Sequence, residues 1–92
     1  MSERYKFEER RVGSPEILYT LFLHNDDVNS FEDVISHLTS VCEIDAIQAE
    51  QIAYLVHYKG SCDVCSGSKE EMLKLEYLLQ EKGLTLSVKQ KS

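Results

Sequence analysis

The sequence predicts an α+β fold in which three helices pack on one face of a small, mainly antiparallel three-stranded sheet, in the order β-α-α-β-α-β. Three observations carry that expectation. Strand-like apolar stretches stand near both ends, Ile17 to Leu23 and Leu84 to Val88. Between them, apolar residues recur three times at helical spacing. Each of those segments begins at a Ser or Asp suited to capping, and two of them stop at a Gly. With 92 residues, 42% of them hydrophobic, the chain holds one domain near the lower size limit for independent folding.

Residues 1–16 are polar, carry mixed charges and end in Gly13-Ser14-Pro15 without any helical or strand period, so a mobile arm is expected there, with the domain over 17–92. From Ile17 to Leu23 most residues favour strands. Ile17, Tyr19, Leu21 and Leu23 share one face, and Leu18 and Phe22 share the other. A strand that is apolar on both sides belongs in the centre of a sheet. Asn25 to Asn29 then makes a polar turn. Ser30, with Asp33 three residues on, caps a helix whose stripe is Phe31, Val34, Ile35, Leu38, Val41 and Cys42. Asp45 with Gln48 caps a second helix, where Ala49, Ile52, Ala53 and Val56 recur at i, i+3, i+4 and i+7 before Gly60. Ser61 to Cys65 reads as a short strand. Ser68 and Glu71 form a capping box for a third helix with Met72, Leu75, Leu78 and Leu79 as its buried side, ended by Gly83. Leu84, Leu86 and Val88 alternate with Thr85 and Ser87 in a last strand, apolar on one side only.

The net charge of -6 is unevenly distributed. Acid and base balance within residues 1–16, so the whole surplus of acid lies in the body. Such a surface opposes the phosphate neutralisation that nucleic-acid binding requires and suits a cationic partner or ligand group. The longest apolar run, Ile17 to Leu23, is too short to cross a bilayer. No basic segment followed by an apolar stretch opens the chain, so no secretion signal is expected. Three cysteines make no complete disulfide framework. A cytoplasmic protein with reduced thiols, away from membranes and nucleic acids, is the expectation.

The candidate site begins where an apolar strand stops at Asn25, Asp26 and Asp27. On residue types alone this is a polar turn that favours a helix start. A functional reading needs a further group, and His57, at the edge of the second helix's core face, is the candidate. An –NH₃⁺ group has three donors and no acceptor. An Asn carbonyl oxygen, one Asp carboxylate and an imidazole nitrogen would satisfy all three, with charge-assisted bonds of roughly 1.5–3 kcal/mol each.

Asn25-Asp26-Asp27 after an apolar strand, then a helix pair, then Val56-His57-Tyr58-Lys59-Gly60, resembles ClpS, the adaptor that selects substrates of bacterial Clp AAA+ proteases by their N-terminal residue. The resemblance runs without a gap from about Leu18 to Gly60 and weakens to topology beyond. It implies that Asn25, Asp26 or Asp27, and His57 hold the α-amino group of an N-degron, and that Asn29 contacts the first peptide unit. It also implies that Leu23, Phe31, Val34, Leu38, Ala53 and Val56 line the pocket for a bulky apolar first side chain. The implied partners are N-degron substrates and the N-terminal domain of a Clp AAA+ chaperone. No catalytic residue, cofactor or metal is implied.

Three departures from the family bear on the preference among Leu, Phe, Tyr and Trp. Ser30-Phe31 stands where the family usually has Pro-Met, and Ala53 stands where a larger Met is common. The segment after Cys65 is several residues shorter. A diverged relative that reads a different terminal residue is therefore one alternative. Another is a metal-binding or thiol protein using His57, Cys62 and Cys65. Against it, Cys62 and Cys65 lie in an expected strand, three apart, where they should face opposite sides.

Overall fold

A computed structural model describes residues 17–91; the expected arm, residues 1–16, lies outside the described residues. Six elements follow in the anticipated order: β1 (Tyr19–His24), α1 (Phe31–Cys42), α2 (Ala46–Lys59), β2 (Ser61–Gly67), α3 (Lys69–Glu81) and β3 (Thr85–Gln90). The sheet order is β2-β1-β3, with both pairings antiparallel. β1 is central, as its apolar character on both sides requires.

The helix starts follow from short polar side chains. Ser30 Oγ accepts from the Asp33 N–H at 3.1 Å, and Asp45 Oδ1 accepts from the Gln48 N–H at 2.9 Å. At α3 the box is reciprocal: Ser68 Oγ accepts from the Glu71 N–H at 3.1 Å, and Glu71 Oε1 accepts from the Ser68 N–H at 3.2 Å. Each cap contributes about 1 kcal/mol. α2 stops at Gly60, whose φ of 93° is a left-handed conformation that L side chains resist. α1 has no such marker. It ends because Glu43 itself turns left-handed, at φ 57°, and no residue type announced that stop.

Leu21 and Leu23 of β1, Leu38 of α1, Ile52 and Val56 of α2, Met72 and Leu79 of α3, and Leu86 of β3 meet in the core. Two sequence expectations change here. Leu78 was placed on the buried side of α3 but is 37% exposed, because Met72, Leu75 and Leu79 alone form the strip that meets the sheet. The second concerns Cys62 and Cys65. The β1–β2 register slips between Leu21 and Phe22, so Leu21 pairs with Cys65 and Leu23 with Cys62, leaving Val64 as the extra residue of a β-bulge. The bulge shifts the side-chain phase by one, and both cysteines come to the core face. Their spacing of three had indicated opposite faces.

Candidate functional site

One backbone hydrogen bond joins the turn after β1 to the end of α2, and a second closes the cap of α2 itself. The Asn25 N–H donates to the Gly60 carbonyl at 2.8 Å, and the Gly60 N–H donates to the Val56 carbonyl at 2.9 Å. The glycine that stops α2 is thus also the anchor of the turn that follows β1. His57 and Asn25 are held together as a consequence.

Asp26 organises that turn. Its Oδ1 accepts from the Val28 N–H at 2.8 Å and from the Asn29 N–H at 2.9 Å, and the Asn29 amide nitrogen lies 3.3 Å from Oδ1 and 3.2 Å from Oδ2. The same amide donates to the Gly83 carbonyl at 2.8 Å, which ties the turn to the α3–β3 junction. Burial by itself would push the Asp26 carboxyl up. The N–H groups of Asn29 and Val28, with the Asn29 side chain, outweigh it and hold the carboxyl below its ordinary range. Asp26 therefore carries the side-chain acceptance within the turn. The Asn25 amide and the Asp27 carboxylate are left without a hydrogen-bond partner among the described residues, at the wall of a cavity.

That cavity, about 400 Å³, is lined by Asn25, Asp26, Asp27, Asn29, Ser30, Phe31, Val34, Ala53, Val56 and His57. Polar acceptors from the β1–α1 turn and the end of α2 meet apolar walls from the facing sides of the two helices. Ala53 and Val56 are 3% and 5% exposed, whereas Phe31, at 38%, stands at the rim and leaves the volume open. The His57 ring is exposed and meets the Tyr58 ring edge-on at 5.3 Å between centroids. Tyr58 in turn packs against Tyr54, one helical turn earlier, with 4.4 Å between centroids and the rings tilted by 42°.

Nine of the eleven residues singled out in the sequence border this volume. Leu23 and Leu38 do not. They are 1% and 0% exposed and lie in the core. In a sequence, a core position and a cavity wall look alike. Ser30 does border the cavity, although its residue type had announced only a helix cap.

The set His57, Cys62 and Cys65 does not converge. His57 borders the cavity, while the Cys62 thiol donates to the Asp63 carbonyl at 3.3 Å on the sheet. Among the described residues, no group of three or more His, Cys, Asp or Glu side chains is placed to hold a metal ion. Nor is any helix among them long and apolar enough to cross a membrane.

The family model described as ATP-dependent Clp protease adaptor protein ClpS matches residues 14–88. The ATP-dependent Clp protease adapter protein ClpS of Edwardsiella ictaluri (strain 93-146) is 40% identical over 58 residues, which are 63% of this chain and 54% of that protein. Its counterpart in Streptomyces coelicolor (strain ATCC BAA-471 / A3(2) / M145) is 34% identical over 61 residues, 66% of this chain and 64% of that protein. The matched stretch thus spans about half of the first relative and under two thirds of the second. Agrobacterium tumefaciens ClpS2, solved bound to L-phenylalaninamide, has the same fold, with a TM-score of 0.73 over 84% of this chain and 100% of that one, at 22% identity. With the family model spanning most of its length, this chain belongs to the ClpS family of Clp protease adaptor proteins.

Proposed function

We propose that this protein is a non-enzymatic, cytoplasmic adaptor that binds the free α-amino group and bulky apolar first residue of N-degron substrates and delivers them to a Clp-type AAA+ protease. The observation that carries the reading is the two-sided cavity, with Asn25, Asp27 and His57 at its polar side and Phe31, Val34, Ala53 and Val56 at its apolar side. Three acceptors around one open volume match the three donors of an ammonium, and the apolar walls take the attached side chain. Asn29 is suited to the first peptide unit, because its side-chain oxygen remains an acceptor while its amide holds the turn. The amino-acid amide bound by the Agrobacterium relative has both halves of such a ligand, a free amine and an aromatic side chain. Delivery would involve the N-terminal domain of the chaperone, with residues 1–16 as the segment that helps hand substrate over.

Calorimetric titration with a free Phe-first peptide and its N-acetylated form tests the proposal. Capping removes the charge and two of the three donors. The loss of two charge-assisted bonds corresponds to roughly 100-fold or more in affinity. Equal affinity for the two forms would reject the ammonium model.

A second reading keeps the amine site and changes the first-residue preference. Phe31 at the rim and the small Ala53 in the wall favour it, since together they give an opening and a depth different from those made by two methionines. A peptide panel differing only at residue one separates the readings. Tightest binding to Leu, Phe, Tyr or Trp supports the first, and tightest binding to any other residue supports the second.

A further inference from the structure

Phe31 lines two cavities. Besides the one already described, it borders a hollow of about 620 Å³ where the first residue of α1 meets the exposed side of α2, with Glu50, Gln51, Tyr54 and Leu55 as the other walls. Glu50 with Tyr54, and Gln51 with Leu55, are i, i+4 pairs, so each pair lies one above the other on the helix surface. Aromatic contacts connect the two cavities a second time, from His57 to Tyr58 and from Tyr58 to Tyr54. We propose that the hollow is a second subsite for the substrate chain and that it takes an arginine side chain at the third residue of the N-degron. The inference rests on the amine-binding reading above, since the first residue must be held for the third to be placed.

Charge, shape and register select that occupant. Between Asn25 and Tyr58 the chain carries seven Asp or Glu residues and no Lys or Arg, so this stretch attracts a cationic side chain and repels an anionic one. Glu50 is exposed, and no Lys or Arg stands within four residues of it in sequence. A guanidinium is planar. It stacks on an aromatic face and donates to a carboxylate at the same time, with its carbon stem against apolar side chains. Tyr54, Glu50 and Leu55 supply those three surfaces in one hollow. The ammonium of a lysine is a point charge without the planar fork. In an extended chain, side chains two residues apart point to the same side, about 6–7 Å from each other. Residues one and three therefore suit two cavities that share a single side chain as a wall, and residue two faces away.

The test is fluorescence anisotropy of the full chain with Phe-first peptides that carry Arg at position two, three or four in an otherwise Ala sequence. Arg at position three should bind about tenfold tighter than Ala there, the combined worth of one exposed ion pair and one cation–π contact. Lys at position three should gain about threefold, that of the ion pair alone. Glu50→Gln and Tyr54→Leu should each bring the Arg-to-Ala affinity ratio at position three down to about threefold. Glu43→Gln, which removes the same charge at the far end of α1, should keep that ratio at about tenfold. Circular dichroism of each variant establishes that it folds. Equal gains from Arg at positions two, three and four would show only a general attraction to an acidic surface and would overturn the subsite. An equal fall in the ratio for Glu50→Gln and Glu43→Gln would do the same. A Phe-first, all-Ala peptide that does not bind overturns the amine reading and the subsite with it. One that binds, with no preference for Arg at position three, overturns the subsite alone.

Discussion

Asp26 and Asp27 are neighbours with the same functional group, yet their surroundings divide them. Asp26 holds the turn through the Val28 and Asn29 N–H groups, whereas Asp27 borders the cavity without a partner among the described residues. Asp26→Ala should therefore lower stability by about 1 kcal/mol, as the loss of a comparable helix-cap acceptor does, in urea denaturation. Acid sensitivity follows from the same bonds. The folded carboxyl titrates below its unfolded value of about 4, so its stabilising contribution is fully present above that pH and disappears as pH falls through the folded value. The acid limb of the stability profile should be shallower in Asp26→Ala than in the native protein. Asp27→Asn should leave stability unchanged and weaken binding of a free-amine Phe-first peptide by roughly 10–100-fold, the worth of one charge-assisted bond. Matching effects of the two substitutions on stability and affinity would refute this division of labour.

At the scale of elements, α2 has two tasks on adjacent faces. Ala49, Ile52 and Val56 bind it to the core, and Ala53 with His57 brings it to the cavity. Ala53 sets the depth of the volume because nothing beyond Cβ projects from that point of the helix. Ala53→Met should fill part of it. Affinity for Trp- and Phe-first peptides should then fall more than affinity for a Leu-first peptide, by a difference on the order of tenfold, since misfitting extra methylenes cost about 1–3 kcal/mol. A uniform loss across the three peptides, measured by fluorescence anisotropy, would mean that the first side chain sits elsewhere. The helices were legible because caps and stripes are local: Ser30, Asp45 and Ser68 each act within three residues of themselves. The bulge at Val64 was not, since only pairing with β1 exposes an unmatched residue.

The whole molecule depends on a thin core centred on β1. Leu21 is fully buried and pairs with Cys65 on one side and Val88 on the other. Leu21→Ala should cost about 3–5 kcal/mol, a large share of the roughly 5–15 kcal/mol available to a domain. The expected outcome is a protein partly unfolded at 37 °C by circular dichroism; an unaltered melting curve would show that the core tolerates the cavity. The same economy of structure links fold to site, because the turn after β1 is pinned at Gly60 on one side and at Gly83 on the other. Loosening the sheet would therefore disperse the polar side of the cavity as well.

The sequence alone determined the six elements, their order, the central place of β1 and the polar residues suited to an amine. Periodicity, capping and side-chain chemistry belong to short stretches of chain and need no distant partner. Tertiary structure alone decided which aspartate stays free, that Leu23 and Leu38 lie in the core rather than in the cavity wall, and how the bulge at Val64 brings Cys62 and Cys65 to one face. Each of these is a matter of depth or of a particular hydrogen-bond partner, and both depend on residues far apart in sequence.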